Sequence, residues 1–198
     1  MKNLISSIFL AVSVLSMSAF APNGSSDFKV DPAKSTLKWT GKKVTGEHTG
    51  NIKIKQGLLK TDGKSLKGGS FVIDMTTITN TDLTDKGYNE KLVGHLNSDD
   101  FFGVAKHKEA KLNITSVTSK GSNNYDVKGN LTIKGITQPV EFPATVIINK
   151  GNIKANASIS VDRTKYDIKY GSGSFFDNLG DKAIDNVFVI DVELVANK

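Results

Sequence analysis

Three histidines, His48, His95 and His107, are the first candidates for chemistry. None stands three or four residues from another, and no H-E-x-x-H pattern accompanies them, so a metal-ligand spacing is lacking. Gly63-Lys64-Ser65 has the look of a phosphate loop. Its upstream glycine, Gly57, lies one residue too far back, and Leu66-Lys67-Gly68-Gly69-Ser70-Phe71 continues as a strand rather than a helix. A phosphate loop needs a helix N-terminus to aim its amides. Asp177, Asp181 and Asp185 recur every four residues, which is the wrong spacing for a calcium loop with alternating oxygen ligands. Asp99-Asp100 offers carboxylates for acid–base work, although Asp99 serves equally as a helix cap. No G-x-S-x-G elbow appears. The chain has no cysteine, which excludes disulfides, a thiol nucleophile, an iron–sulfur cluster, a cysteine zinc site and a lipid anchor on an N-terminal cysteine. Arg163 is the single arginine. It is either a surface ion pair of little energetic worth or a fork that holds an oxygen of a ligand.

The elements that position these residues follow from a period of two. Leu37 and Trp39 alternate with Lys38 and Thr40, and Ile52 and Ile54 with Lys53 and Lys55. The same alternation runs through Phe71–Met75, Leu112–Thr115, Tyr125–Lys134, Val140–Ile148, Asn152–Val161 and Phe188–Leu194. That makes eight strands, separated by turn signals such as Thr61-Asp62-Gly63, Lys120-Gly121-Ser122-Asn123, Lys134-Gly135 and Asn149-Lys150-Gly151. Strands with one apolar face and tight turns predict an all-β, eight-stranded antiparallel up-and-down barrel, lipocalin-like. A two-sheet sandwich is the rival arrangement. Two stretches break the alternation. In Thr77–Lys106, Tyr88, Leu92 and Leu96 fall at helical spacing, which predicts a short helix between the third and fourth strands, capped by Thr84 or Asp85. Ser98 or Asp99 caps a further turn carrying Phe101 and Phe102. The second stretch, Tyr170–Ala183, is glycine-rich and carries Phe175-Phe176.

The first residues are read as a separate segment. Met1-Lys2-Asn3 is a positive start, Leu4–Phe20 is apolar without charge, and Ala19-Phe20-Ala21 is an A-x-A cleavage site. Residues 1–21 are thus expected to be a secretory signal peptide, and 22–198 a single domain that works in the periplasm or outside the cell. The formal charge of +6 comes almost wholly from lysines that alternate with apolar residues, a pattern of solvated strand faces. No nucleic-acid partner is expected, since such readers rely on arginine forks. The charge is compatible with transient contact with a membrane surface.

No motif points to catalysis, so the candidate site is the barrel interior. An eight-stranded barrel holds packed side chains or one small ligand. The inward set predicted to line it comprises Trp39, Phe71, Ile73 and Met75 from the early strands, and Leu112, Ile114, Val127, Leu131 and Ile133 from the middle ones. Phe142, Ala144, Ala155, Ala157, Ile159, Phe188 and Ile190 complete the wall. Leu92, Leu96, Phe101, Phe102, Arg163, Phe175 and Phe176 are expected around the mouth, where the two phenylalanine pairs form a lid or a plug. Alanines on neighbouring strands leave either an open lumen or room for those plugs. An open lumen would be long, narrow and apolar, a shape that suits a linear hydrocarbon chain.

Gly129-Asn130-Leu131-Thr132-Ile133-Lys134-Gly135-Ile136-Thr137-Gln138-Pro139-Val140 resembles the signature hairpin of the YceI-like family. Asp31-Pro32-Ala33-Lys34-Ser35 leading to Trp39, the insertion His95–Phe102, Asp162-Arg163-Thr164-Lys165-Tyr166 and Leu179-Gly180-Asp181 match its other landmarks in order. The chain departs from the pattern at Gly103, where the family has an acidic residue, and at Asp167, where a glycine is usual. The resemblance implies an exported barrel that binds a polyisoprenoid, of quinone or polyprenyl type, in its lumen. Its roles would be transport, storage or stress protection, with no cofactor beyond the bound lipid and with a monomer or homodimer as the assembly. The alternatives are an enzyme acting on such a lipid through Asp99, His95 or Arg163, and a ligand-free structural or stress protein.

Overall fold

The computed structural model describes residues 25–198; the expected signal peptide lies outside the described residues. Alternating apolar side chains produce strands whose inner faces meet one another. In chain order these are β1 (Ser26–Val30), β2 (Thr36–Lys43), β3 (Gly46–Thr61), β4 (Leu66–Asp74), β5 (Glu109–Gly121), β6 (Asn124–Ile133), β7 (Ile136–Ile148), β8 (Asn152–Asp162) and β9 (Ile184–Asn197). All pairings are antiparallel. Each strand from β2 to β9 pairs with the next, and β2 also pairs with β9, which closes an eight-stranded barrel and excludes the sandwich.

The ninth strand, β1, has no place in the eightfold alternation, yet it leaves the barrel eight-stranded. It pairs with the far end of β3 (Lys29 opposite Leu58) and with the end of β9 (Val30 opposite Ala196). β2 occupies the same position between β3 and β9 further along. β1 and β2 are therefore two parts of one strand position, interrupted at Asp31–Ser35. The Ser35 hydroxyl repairs the break by accepting the Val195 amide at 3.1 Å and donating to the Asp31 carbonyl at 2.8 Å. A five-residue strand ending at a proline-containing turn carries too little pattern to be read from sequence.

The connections divide unequally between the ends. At the lower end, tight turns join β3 to β4, β5 to β6 and β7 to β8. The upper end carries everything irregular: α1 (Lys86–Asn97) between β4 and β5, and the Arg163–Ala183 loop between β8 and β9. Asp85 caps α1 by accepting the Tyr88 amide at 2.9 Å, and Ser98 ends it by donating twice to the His95 carbonyl. Burial deepens along the helix from Tyr88, 67% exposed, to Leu96, 9% exposed. Only the last turn of the expected apolar face reaches the core.

Candidate functional site

An internal cavity of about 220 Å³ runs through the barrel. Every strand from β2 to β9 contributes apolar side chains to it, and the polar exceptions are Asn156, Arg163 and Asp185. Twenty of the residues expected from sequence stand in its wall, from Trp39, Phe71, Ile73 and Met75 on the early strands to Phe188 and Ile190 on β9. Ala144, Ala155 and Ala157 line it as small residues between bulkier neighbours. Leu37, Ile52, Ile54, Leu59, Val146 and Leu194 were not singled out but belong to the same wall. They carry the same alternation and lacked only a reason to be preferred.

Three expected residues are absent from the wall. Leu92 packs against the outside of the core. Phe175 and Phe176 are 49% and 50% exposed, so they neither plug the lumen nor seal it. The bond from Ser172 Oγ to Asn186 Oδ1 (2.6 Å) and the Phe175 and Phe176 amides, both donating to the Ser172 carbonyl (3.0 Å), fold that loop back on itself. Lys169 Nζ lies 5.3 Å from the Phe175 ring centre.

The upper end is closed by other groups. Leu96, Phe101 and Phe102 face the cavity, and Phe102 meets Phe188 edge-on at 6.1 Å. His95 stacks edge-on against Phe101 (4.8 Å) and Tyr170 (4.5 Å), joining α1 to the Arg163–Ala183 loop. Lys134, in the β6–β7 turn, donates to the carbonyls of Asp99 (2.9 Å) and Asp167 (3.2 Å), so it ties both covering segments together. Trp39 lines the cavity and donates its indole N–H to the Thr79 carbonyl at 2.9 Å.

Arg163 fits neither reading of a surface ion pair nor a free fork. It is 4% exposed and donates to three main-chain carbonyls: Ile168 (2.8 Å), Asp185 (2.9 Å) and Ile184 (3.0 Å). Burial pulls its pKa below the ordinary value, while Asp162 and Asp185 resist that pull. Its guanidinium therefore staples the start of β9 to the loop that follows β8. The acid–base candidates are taken up in ion pairs: Asp99 with Lys106 at 2.7 Å, and His95 with Asp100 at 3.2 Å. Among the described residues no cluster of three or more His, Asp or Glu is arranged to hold a metal ion.

The model of the YceI-like domain matches residues 28–196. The chain belongs to the YceI-like family. Among curated relatives of this YceI-like chain, a UPF0312 protein of Pectobacterium atrosepticum is 37% identical over 75 residues. That stretch is 38% of this chain and 37% of the relative. A UPF0312 protein of Pseudomonas putida strain W619 is 49% identical over 51 residues, 26% of this chain and 27% of its own length. The matched stretch thus spans little more than a third of such relatives. BcnA of Burkholderia cenocepacia superposes with a TM-score of 0.68 at 26% identity, over 85% of this chain and 99% of that one. A polyisoprenoid binding domain from Saccharophagus degradans superposes with a TM-score of 0.65 at 16% identity, covering 86% and 97%. At that identity the likeness is one of fold. Both departures from the YceI-like pattern fall on left-handed residues, Gly103 (φ +55°) and Asp167 (φ +58°).

Proposed function

We propose that this protein is an exported lipid-binding barrel that holds a polyisoprenoid chain, of quinone or polyprenyl type, in its lumen for transport or storage. The observation that carries this reading is the wall of the cavity: about 220 Å³ of space bounded by side chains that offer hydrogen bonds only at its margins. An apolar cavity of about 150 Å³ already stays dry and accepts a hydrocarbon guest. A dry, unfilled lumen costs packing energy, and an apolar guest restores it. The polyisoprenoid binding domain of the same fold supports the choice of ligand class. The signal-peptide reading of residues 1–21 supports a site of action in the periplasm or outside the cell. An enzyme is disfavoured by the placement of Asp99, paired with Lys106, and His95, paired with Asp100, both outside the cavity wall. The assembly is a monomer or homodimer that meets a membrane surface transiently to load or unload.

Two measurements test the reading together. Mass spectrometry of an organic extract of protein purified from its native host should show a lipid built of isoprene units in stoichiometric amount. The single tryptophan, Trp39, should transfer excitation to all-trans-retinol, an isoprenoid alcohol, added to delipidated protein. A lipid-free extract combined with no energy transfer would refute the reading.

A further inference from the structure

The barrel wall is not uniformly sealed. β7 and β8 pair at five positions only, from Ile148 opposite Ile153 to Ala144 opposite Ala157. β8 and β9 pair at eleven and β6 and β7 at ten, while β4 and β5 also pair at five, from Ser70 opposite Asn113 to Asp74 opposite Glu109. Beyond Ala144 and Ala157 both strands continue toward the upper end, β7 through Pro143–Ile136 and β8 through Ser158–Asp162, without pairing to each other.

The sequence explains the parting. Val146 donates its amide to the Asn123 carbonyl, so even-numbered β7 residues direct their amides at β6. Odd-numbered residues direct theirs at β8. Pro139 and Pro143 are both odd-numbered and have no amide hydrogen to give. They strip donors from the edge that should meet β8. One other parting is covered. Where β3 leaves β4, the segment Thr77–Asp82 runs along the freed edge, with Thr79 and Thr81 donating to Asn51 and Thr49 at 2.9 Å. Across the β7–β8 parting the described residues show two bridging bonds, from Gln138 Nε2 to the Lys165 carbonyl at 3.3 Å and, at its upper limit, from Lys134 Nζ to the Asp167 carbonyl at 3.2 Å.

An outer groove crosses β7 and β8 beside Pro143 and Ser158, and it shares Ala144, Asn156, Ala157 and Val192 with the wall of the lumen. The last rung of the closed part is thus a pair of methyl groups, with lumen on one side and groove on the other. Leu59, Thr61, Ile153 and Ala196 are 0–2% exposed at the lower end. The upper end is held by Arg163, Lys134 and the His95 stack.

We propose that the apolar chain passes into and out of the barrel sideways, between β7 and β8, with Ala144 and Ala157 as the sill. The inference rests on the lipid-binding reading above. The strands move apart with few hydrogen bonds to break, and the chain slides in while its polar end stays in the outer groove. Opening the upper end would instead require breaking the three carbonyl bonds of Arg163 and both bonds of Lys134.

A chain without native cysteine allows a direct test. The double variant Pro143→Cys with Ser158→Cys places thiols on the first unpaired positions past the sill. Loaded with all-trans-retinol, it is mixed with phosphatidylcholine vesicles, and the recovery of Trp39 emission reports release. The oxidised form should release and take up retinol at least about tenfold more slowly than the same protein reduced, because a blocked path acts on rates rather than on the bound state. Rates within twofold of each other in a fully oxidised sample would overturn the lateral path. Should the thiols fail to bridge, Pro139→Thr with Pro143→Thr restores both amide donors. That variant should slow transfer and protect new amides in β7 from exchange, and unchanged transfer despite the new protection would overturn the proposal. Wild-type protein that never quenches with retinol, and yields no lipid on extraction, would remove the lipid-binding reading itself, and the path with it.

Discussion

Two side chains at the upper end show how much one residue decides. Arg163, itself buried, satisfies the buried Ile168 carbonyl and the part-buried carbonyls of Ile184 and Asp185, and no carboxylate pairs with it directly. Truncation leaves those acceptors without donors, and each orphaned buried group costs about 1–3 kcal/mol. Arg163→Ala should therefore lower stability by about 3–5 kcal/mol in urea unfolding, and Arg163→Lys should recover only part, because an ammonium cannot reach all three carbonyls in the geometry of the planar fork. A loss below about 1 kcal/mol for Arg163→Ala would contradict the staple. Asp167 tests the opposite case. It holds φ +58°, a conformation that suits glycine, and its side chain pairs with Lys169 at 2.7 Å on the surface. Left-handed backbone is strained for a residue with a Cβ. Asp167→Gly should be neutral to stabilising, by up to about 1 kcal/mol, in the same unfolding assay.

At the scale of elements, the strap Thr77–Asp82 depends on a missing side chain in β3. A Cβ at Gly50 would stand 1.8 Å from the Thr79 carbonyl oxygen and 2.7 Å from the Trp39 indole nitrogen. Backbone cannot yield to that contact without releasing the strap. Gly50→Ala should cost at least about 1–3 kcal/mol and should blue- or red-shift Trp39 emission as the indole loses its carbonyl partner. Unchanged emission and stability would mean that the strap moves freely. The alanine rung between β7 and β8 poses the converse question, since space lies beside it. Ala157→Phe should project a ring into the cavity, block retinol uptake and change stability by less than about 1 kcal/mol. Destabilisation of about 1–3 kcal/mol would indicate a wall with no spare room.

The molecule as a whole should be most stable near neutrality. Ion pairs and amide bonds hold several carboxyls below their ordinary pKa. Asp62 is held by Lys67 and the Ser65 and Lys64 amides, Asp99 by Lys106, and Glu109 by Lys55 and Lys111. At Asp82 burial opposes ionisation, but bonds from the Thr49 amide, His48 and Asn80 outweigh it. Groups lowered in the folded state bind protons more readily when unfolded, so stability falls as pH drops below about 4. Tyr166 works in the other direction. Burial raises its hydroxyl from 10.0 to about 12. The folded state then keeps a proton that the unfolded chain releases, and stability falls between about pH 10 and 12. Urea midpoints measured from pH 3 to 11 should trace both limbs. Tyr166→Phe should flatten the alkaline one, and an unaltered alkaline limb would exclude Tyr166 as its source.

What could be read from the linear chain was whatever depends on neighbours in sequence. A period of two places side chains on opposite faces whatever lies across the strand, so eight strands, the turns between them and most of the lumen wall from Trp39 to Ile190 were legible. The Asp85 cap and the helical insertion were legible for the same reason. Contacts across the barrel decided the rest. The place of β1 was settled by β3 and β9 leaving a gap that β2 does not fill. Arg163 is buried because the loop after β8 turns back over it, and Phe175 and Phe176 are exposed because Leu96, Phe101 and Phe102 already occupy the upper end. Pro139 and Pro143 are visible in the sequence, but which strand loses their donors depends on register. Register is a property of strand pairs closed around a circle, and no single stretch of chain contains it.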